Sequence, residues 1–210
     1  MTTPTDKRRQ LRSHLRQRRR ALTATQQHHA SRHCLQRCNR LPMVFRAQYV
    51  AFYCATDGEV QLDAYRLRGA HRIFLPCVQA SSNLLLFRHC TPRTRLRPNR
   101  FQIPEPVRTR PVAAWTLDLV FVPLVGFDLQ GNRLGMGGGF YDRLFADLNR
   151  RPRRPWLIGL AHDCQQTGQF VPAPWDLPLD ALVTPSRFLR FSQHRSAIRH
   201  RGDPLKTILD

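Results

Sequence analysis

Five glycines fall within residues 131–143, GNRLGMGGGFYDR, and the run ends in an aromatic pair and an acid. Bare backbone of this kind brings N–H groups close to a phosphate, and a helix starting behind it adds a partial positive charge. Arg133 can neutralise a phosphate through charge-assisted hydrogen bonds, and Asp142 can hold a magnesium ion that bridges phosphates. The same residues have a plainer reading, a tight turn that packs a helix onto a sheet with Asp142 as its N-cap. No G-K-[ST] occurs, so this is not a Walker A loop, and the spacing does not fit a dinucleotide fingerprint with its downstream acid.

Alternating strands and helices must position such a loop. The apolar run 118–124 (DLVFVPL) predicts a strand before the glycines, and 140–150 predicts a helix after them. Upstream, 48–54 (QYVAFYC) and 72–78 (RIFLPCV) predict strands with a helix over 60–68 between them; 84–89 predicts a hairpin arm that returns after a polar turn at 79–83. Residues 156–161 and 181–184 supply two more strands. Two helices open the chain. The first, over 5–20, carries Leu11 and Leu15 among arginines, and Arg16 and Arg19 read as part of its basic surface. The second starts at a capping box of Thr23 and Gln26 and runs to about residue 40. The Pro- and Arg-rich stretch 91–111 predicts an irregular loop with a functional part. The expected fold is α/β: a mostly parallel open sheet flanked by helices in a Rossmann-like three-layer arrangement. It forms one domain over 1–191, with a basic tail over 192–210 and ligands at the carboxyl ends of the strands.

A net charge of +20 points to an anionic partner, and all but Lys7 and Lys206 of the 34 basic residues are arginines. The arginine-rich first helix keeps a nucleic-acid-binding protein open as an alternative, although no base-reading module is present. No apolar stretch is long enough to cross a bilayer, and the basic N-terminus lacks the apolar core of a secretory signal, so the expected location is the cytoplasm. Six cysteines without a C-x-x-C pair argue against a zinc ribbon or a thioredoxin-type site, and Cys54 and Cys77 are expected to pack as small hydrophobes. His33, Cys34 and Cys38 can gather on one helical turn but need further ligands to hold a metal. There is no convincing Ser/His/Asp or Cys/His set.

Taken together, Asn132, Arg133, Leu134, Gly135, Gly137, Gly139, Phe140, Tyr141 and Asp142 closely resemble the signature of the 5-formyltetrahydrofolate cyclo-ligases, also called methenyltetrahydrofolate synthetases. The resemblance extends to Arg8–Arg12 in the first helix, to 52–59 leading into an acidic turn, and to Ile103-Pro104-Glu105-Pro106 in a Pro-rich folate loop. It also takes in 123–128 (PLVGFD), Ala161-His162-Asp163 and Trp175-Asp176, which look like the bacterial branch. Arg8 stands where the family has Lys, with Lys7 displaced by one.

The resemblance implies ATP-dependent closure of 5-formyltetrahydrofolate to 5,10-methenyltetrahydrofolate, with release of ADP and phosphate. Moving the γ-phosphoryl to the formyl oxygen creates a leaving group that N10 displaces. It further implies that Arg8, Arg12, Arg133, Leu134, Gly135, Met136, Gly137, Gly138, Gly139, Phe140 and Tyr141 hold ATP, and that Asp142 and Asp176 hold Mg2+. Tyr53, Glu59, Phe101, Gln102, Phe140 and Tyr141 would receive the folate, with or without a polyglutamate tail. Glu59, Arg133 and Tyr141 would carry the catalysis, Glu59 by bonding the pterin or orienting N10. The implied state is a monomer without specific nucleic acid or membrane contacts; a catalytically silent folate-binding relative is a further alternative.

Overall fold

Successive residues of the strand Leu119–Val122 point to opposite sides. Leu119 and Phe121 join an apolar cluster with Cys34, Cys38 and Val44, whereas Val120 and Val122 join a second with Phe74, Leu124 and Phe145. A strand apolar on both faces belongs at the centre of a sheet covered on both sides, and this one does. The computed structural model describes residues 4–79, 82, 84–147, 154–168 and 170–191; the expected tail over 192–210 lies outside them.

Four helices are described: α1 (Pro4–Arg20), α2 (Ala24–Cys38), α3 (Pro42–Arg46) and α4 (Phe140–Leu144). The main sheet contains β1 (Tyr49–Ala51), β2 (Arg72–Val78), β3 (Leu85–Cys90), β6 (Pro111–Val112), β7 (Leu119–Val122), β10 (Trp156–Leu160), β11 (Ala181–Val183) and β12 (Phe188–Arg190), in the order β12-β11-β10-β7-β1-β2-β3-β6. Pairing is parallel from β11 to β2 and antiparallel at both flanks. Two small hairpins stand apart, β4 (Leu96–Pro98) with β5 (Pro104–Pro106), and β8 (Gly126–Phe127) with β9 (Arg133–Leu134). The expected α/β sheet is therefore present. After β1 the chain steps to β2 on one side and returns to β7 on the other, so a crevice opens beyond the carboxyl ends of β1 and β7.

The capping box of α2 forms as expected: Thr23 Oγ1 accepts the Gln26 N–H at 3.2 Å and Gln26 Oε1 accepts the Thr23 N–H at 2.8 Å. Two helical expectations need correction. Residues 60–68 hold only a 3₁₀ turn, Ala64–Arg66, because Asp63 caps Tyr65 N–H at 3.1 Å and Ser31 Oγ takes the Gln61 N–H at 3.1 Å. The helix after the glycines is α4, five residues long, with a turn to residue 147; residues 148–150 of the expected span are not described. The stretch 91–111 is more ordered than expected, folding back as β4 and β5.

His33 parts from its neighbours. It is exposed near His29, while Cys34 and Cys38 are buried in the core, and burial pushes the Cys34 thiol up to about 12. Adjacent helical positions do not share a face, so the three do not form a ligand set. No helix among the described residues is long and apolar enough to cross a membrane.

Asp118 ties the centre of the sheet together. Its Oδ2 accepts the Gln48 and Tyr49 N–H groups, both at 2.9 Å, while its own amide bonds Tyr49 O and its carbonyl accepts from Trp156 N–H. Asp118→Ala should cost about 2–4 kcal/mol by stranding two amides at the start of β1. Because both bonds use one oxygen, Asp118→Asn should recover more than half of the loss in urea denaturation; equal losses for the two variants would mean that charge, not acceptance, is what matters.

Candidate active site

The glycine loop begins from a tightly held hairpin. Asp128 Oδ1 accepts the Gln130 and Asn132 N–H groups at 2.9 Å and its Oδ2 accepts from Asn132 Nδ2 at 2.7 Å, fixing the turn that delivers Arg133 on β9. Arg133 is buried, and its Nη2 donates to Asp142 Oδ1 at 2.5 Å; the same oxygen accepts the Leu177 N–H at 3.0 Å. Gly137 and Gly139 have φ of 101° and 63°, backbone states that favour residues without a Cβ, so the loop can double back above Arg133. Leu134 faces the other way, buried with Leu15, Val125 and Phe170 where α1 packs on the hairpin. Its side chain therefore holds the loop down and is absent from the cavity wall.

Helix α1 lies along this loop. Arg12 Nε donates to Gly135 O at 2.9 Å, and one turn earlier Arg8 Nη2 bonds both Asp176 oxygens at 3.0 and 2.8 Å while Nη1 bonds Val171 O at 3.0 Å. Burial, then the charge of Arg8, lowers the pKa of Arg12; Asp176 and Asp142 oppose the shift. Asp176 Oδ2 also accepts the Ala173 N–H at 2.7 Å. Asp142 and Asp176 line one small cavity with Trp175 and Leu177.

A second turn, after β1, carries Glu59. Asp57 there accepts from Arg16 Nε at 2.8 Å and Arg19 Nη2 at 2.6 Å, and also pairs with Arg20. Burial raises the Asp57 pKa, but the hydrogen bonds from Arg16, Arg20 and Arg19 outweigh it and hold the carboxyl below its ordinary value. Arg19 is fully buried: Nε donates to Asp57 O at 2.9 Å, Nη1 to Leu124 O at 3.1 Å, and Nη1 lies 3.8 Å from Glu59 Oε1. The expectation that Arg16 and Arg19 belong to a basic surface fails, because both close onto this acidic turn. His162 Nε2 contacts Gly58 O at 3.0 Å from the opposite side. Glu59 Oε2 accepts the Thr56 N–H at 3.0 Å, and burial raises its pKa despite that bond and Arg19.

Between these turns lies a cavity of about 420 Å³. Tyr53, Glu59, Phe101, Arg133, Gly135, Met136, Gly138, Gly139, Phe140, Tyr141 and Asp142, all singled out in the sequence, line it. Tyr53 Oη donates to Val60 O at 2.6 Å, and Phe101 meets Phe140 edge-on with centroids 5.8 Å apart. Tyr141 Oη and Arg133 Nε are buried without a hydrogen-bond partner among the described residues. Burial first, then the charge of Glu59, pushes the Tyr141 phenol up. Gln102, at φ 60°, is outside the lining, as are Gly137 of the loop itself and Arg8, Arg12 and Asp176, with Arg12 bonded to the loop at Gly135 and Arg8 paired with Asp176. Sequence reasoning assigned no role to Arg19, Asp57, Asn99 or Glu105; the two acids had a signal, since acids are scarce in this chain.

Arg19→Met should destabilise the fold by roughly 3–5 kcal/mol, the scale of breaking a buried ion pair, whereas exposed Arg9→Gln should change it by less than about 0.5 kcal/mol. Comparable denaturation midpoints for the two variants would remove Arg19 from its structural role.

The model of the 5-formyltetrahydrofolate cyclo-ligase family matches residues 4–185. The 5-formyltetrahydrofolate cyclo-ligase of Escherichia coli (strain K12) is 41% identical over 181 residues, covering 82% of this chain and 97% of that protein. That of Haemophilus influenzae is 38% identical over 186 residues, covering 85% and 98%. The fold is similar to the solved structure of Aquifex aeolicus 5,10-methenyltetrahydrofolate synthetase, with a TM-score of 0.75 and 29% identity, covering 93% of this chain and 98% of that one. With the family model matching residues 4–185 and relatives 38–41% identical covered almost whole, this chain belongs to the 5-formyltetrahydrofolate cyclo-ligase family.

Proposed function

We propose that the chain closes 5-formyltetrahydrofolate to 5,10-methenyltetrahydrofolate with hydrolysis of ATP to ADP and phosphate, as a cytoplasmic monomer that accepts folate with or without a polyglutamate tail. One observation carries the reading: Arg133 Nε and Tyr141 Oη are buried polar atoms without a hydrogen-bond partner among the described residues, between a glycine loop and a largely apolar cavity. Buried donors of this kind call for acceptors on a ligand. A phosphate at the loop and a formyl oxygen beside Tyr141 would supply them.

A formamide carbon is a poor electrophile with a poor leaving group, so the chemistry needs phosphorylation of its oxygen before N10 can attack. Such transfer depends on positioning and charge neutralisation more than on a protein nucleophile. Arg133 is preorganised for it, locked by Asp142 and lying with Cζ 6.0 Å from the Tyr141 ring centroid. Tyr141, its pKa raised, stays protonated and donates to the reacting oxygen. Glu59, whose pKa is raised by burial, is a better acceptor for the N10 proton than an exposed carboxylate. Phe101 and Phe140 offer ring surface to the folate.

Asp142 keeps Oδ2 without a hydrogen bond among the described residues and would hold a magnesium ion together with phosphate oxygens, whereas Asp176, bonded through both oxygens by Arg8, would join it only on releasing that arginine. When bound, the ion would supply positive charge to the phosphates. Nucleic-acid binding is less well supported, because five of the seven α1 arginines, Arg8, Arg12, Arg16, Arg19 and Arg20, bond acceptors within the protein.

Purified protein should produce the near-ultraviolet absorbance of methenyltetrahydrofolate from 5-formyltetrahydrofolate only when Mg-ATP is present. Arg133→Ala should slow this by roughly 10²-fold or more; near-normal turnover in a folded variant would mean that the nucleotide lies elsewhere. Replacing Arg8 and Arg12 together by Gln should raise KM for ATP far more than KM for the folate. Exposed Arg9 and Arg18, replaced in the same way, are the control, and equal ATP dependence in the two double variants would reduce α1 to diffuse charge.

A further inference from the structure

Glu59 takes its position from the backbone beneath it. Its Oε2 bonds the Thr56 N–H within its own turn, and Arg19 Nη1 stands 3.8 Å from Oε1, beyond hydrogen-bond reach. The carboxylate therefore goes where residues 56–59 send it. Asp57 and Gly58, the central residues of that turn, have φ of 56° and 76°, the signs of a type I′ turn, and Glu59 N–H closes it on Thr56 O at 3.0 Å. For Asp57, which has a Cβ, this is a strained backbone state that persists only where the surroundings hold it.

The surroundings hold it at two carbonyls. Asp57 O accepts from Arg19 Nε at 2.9 Å on the α1 side, and Gly58 O accepts from His162 Nε2 at 3.0 Å on the other. A carbonyl only accepts, so Nε2 carries the imidazole proton. The Gly58–Glu59 peptide is thereby fixed at both ends of its dipole, its N–H by Thr56 and its C=O by His162. His162 is only 2% exposed and is itself anchored: its backbone N–H bonds Gln165 Oε1 at 2.8 Å, and Gln165 Nε2 bonds Leu124 O at 2.8 Å and Val125 O at 3.0 Å. Burial lowers the His162 pKa against the bond to Gly58, and the charge of Arg19 adds to the lowering, so the ring is a neutral donor.

We infer that His162 is a positioning residue for the reaction, which fixes through Gly58 O the peptide that delivers Glu59 into the cavity. This rests on the role given above to Glu59 at N10. His162 is outside the cavity lining, so it acts through the turn and not on the ligand.

The test combines the kinetics of methenyltetrahydrofolate formation with amide hydrogen exchange. His162→Leu removes the donor but keeps the buried space filled; kcat should fall by roughly 10- to 100-fold, the scale of displacing a reacting group by up to about 1 Å, while KM for ATP changes by less than about twofold. His162→Gln, whose amide nitrogen reaches as far as Nε2, should recover most of that loss. His162→Asn, whose amide ends short of Gly58 O, should not, and it alone decides if the Leu variant does not fold. In a Glu59→Gln background the Leu or Asn substitution should cost nothing further, because both changes disable one device. The Glu59 amide should exchange faster in the Leu and Asn variants while the amides of Leu119–Val122 keep their protection. A normal kcat in a folded Leu or Asn variant overturns the assignment, as does a further loss on top of Glu59→Gln, a Gln variant no better than Asn, or a Glu59→Gln variant as active as the parent. A parent that makes no methenyl product rejects the folate reading; exchange of the Glu59 amide then decides whether His162 holds the turn, and unchanged exchange overturns that too.

Discussion

A guanidinium without access to water holds the site together. Arg19 bonds the carbonyl and carboxylate of the Asp57 turn and the carbonyl of Leu124, so one buried side chain ties the segment after β1 to the segment after β7. A buried charge is tolerated only when its donors are satisfied, which makes the arrangement of the two turns a condition of the fold. The cavity opens beside the two joined segments, where Glu59 and Pro123 form part of its lining.

The acidic turn holds cations in three different settings. Arg20 is exposed, Arg16 is half-buried and Arg19 is sealed, yet all converge on Asp57. Screening by solvent weakens the outer contacts, so the inner one dominates. The depressed pKa of Asp57 gives the sign of the pH response. Its contribution is complete above the ordinary carboxylate pKa and is lost as pH falls through the lowered value. Glu59, only two residues away, shifts in the opposite direction because burial outweighs its weaker contact with Arg19.

Much of the fold was legible because the signals were local. The run 72–78 coincides with β2, and the Thr23–Gln26 pair starts α2, since alternation and capping act over a few residues. The glycine segment was legible as a loop, although the Arg133–Asp142 bond was not, because it depends on how the loop doubles back. The helix expected over 60–68 failed for a tertiary reason: Ser31, on α2, captures a backbone donor that a helix would have used. Arg19 was hidden among identical neighbours, although its place four residues after Leu15 and eight after Leu11 puts it on the apolar face of the helix. Glu105 stood in a quoted motif, but its bonds to Val78 and Asn99 depend on how β5 folds back, and no spacing reveals that encounter.

The pair between Arg8 and Asp176 spans 168 positions. During synthesis the first helix therefore emerges long before its acidic partner exists, and the contact between α1 and the segment after β10 cannot form until that segment leaves the ribosome. Contacts of such separation form late and slow the search for the native state. Until then, α1 is a strongly cationic, half-satisfied helix in a compartment crowded with ribosomal RNA, which gives early docking onto its own Asp57 turn a kinetic value beyond its contribution to stability.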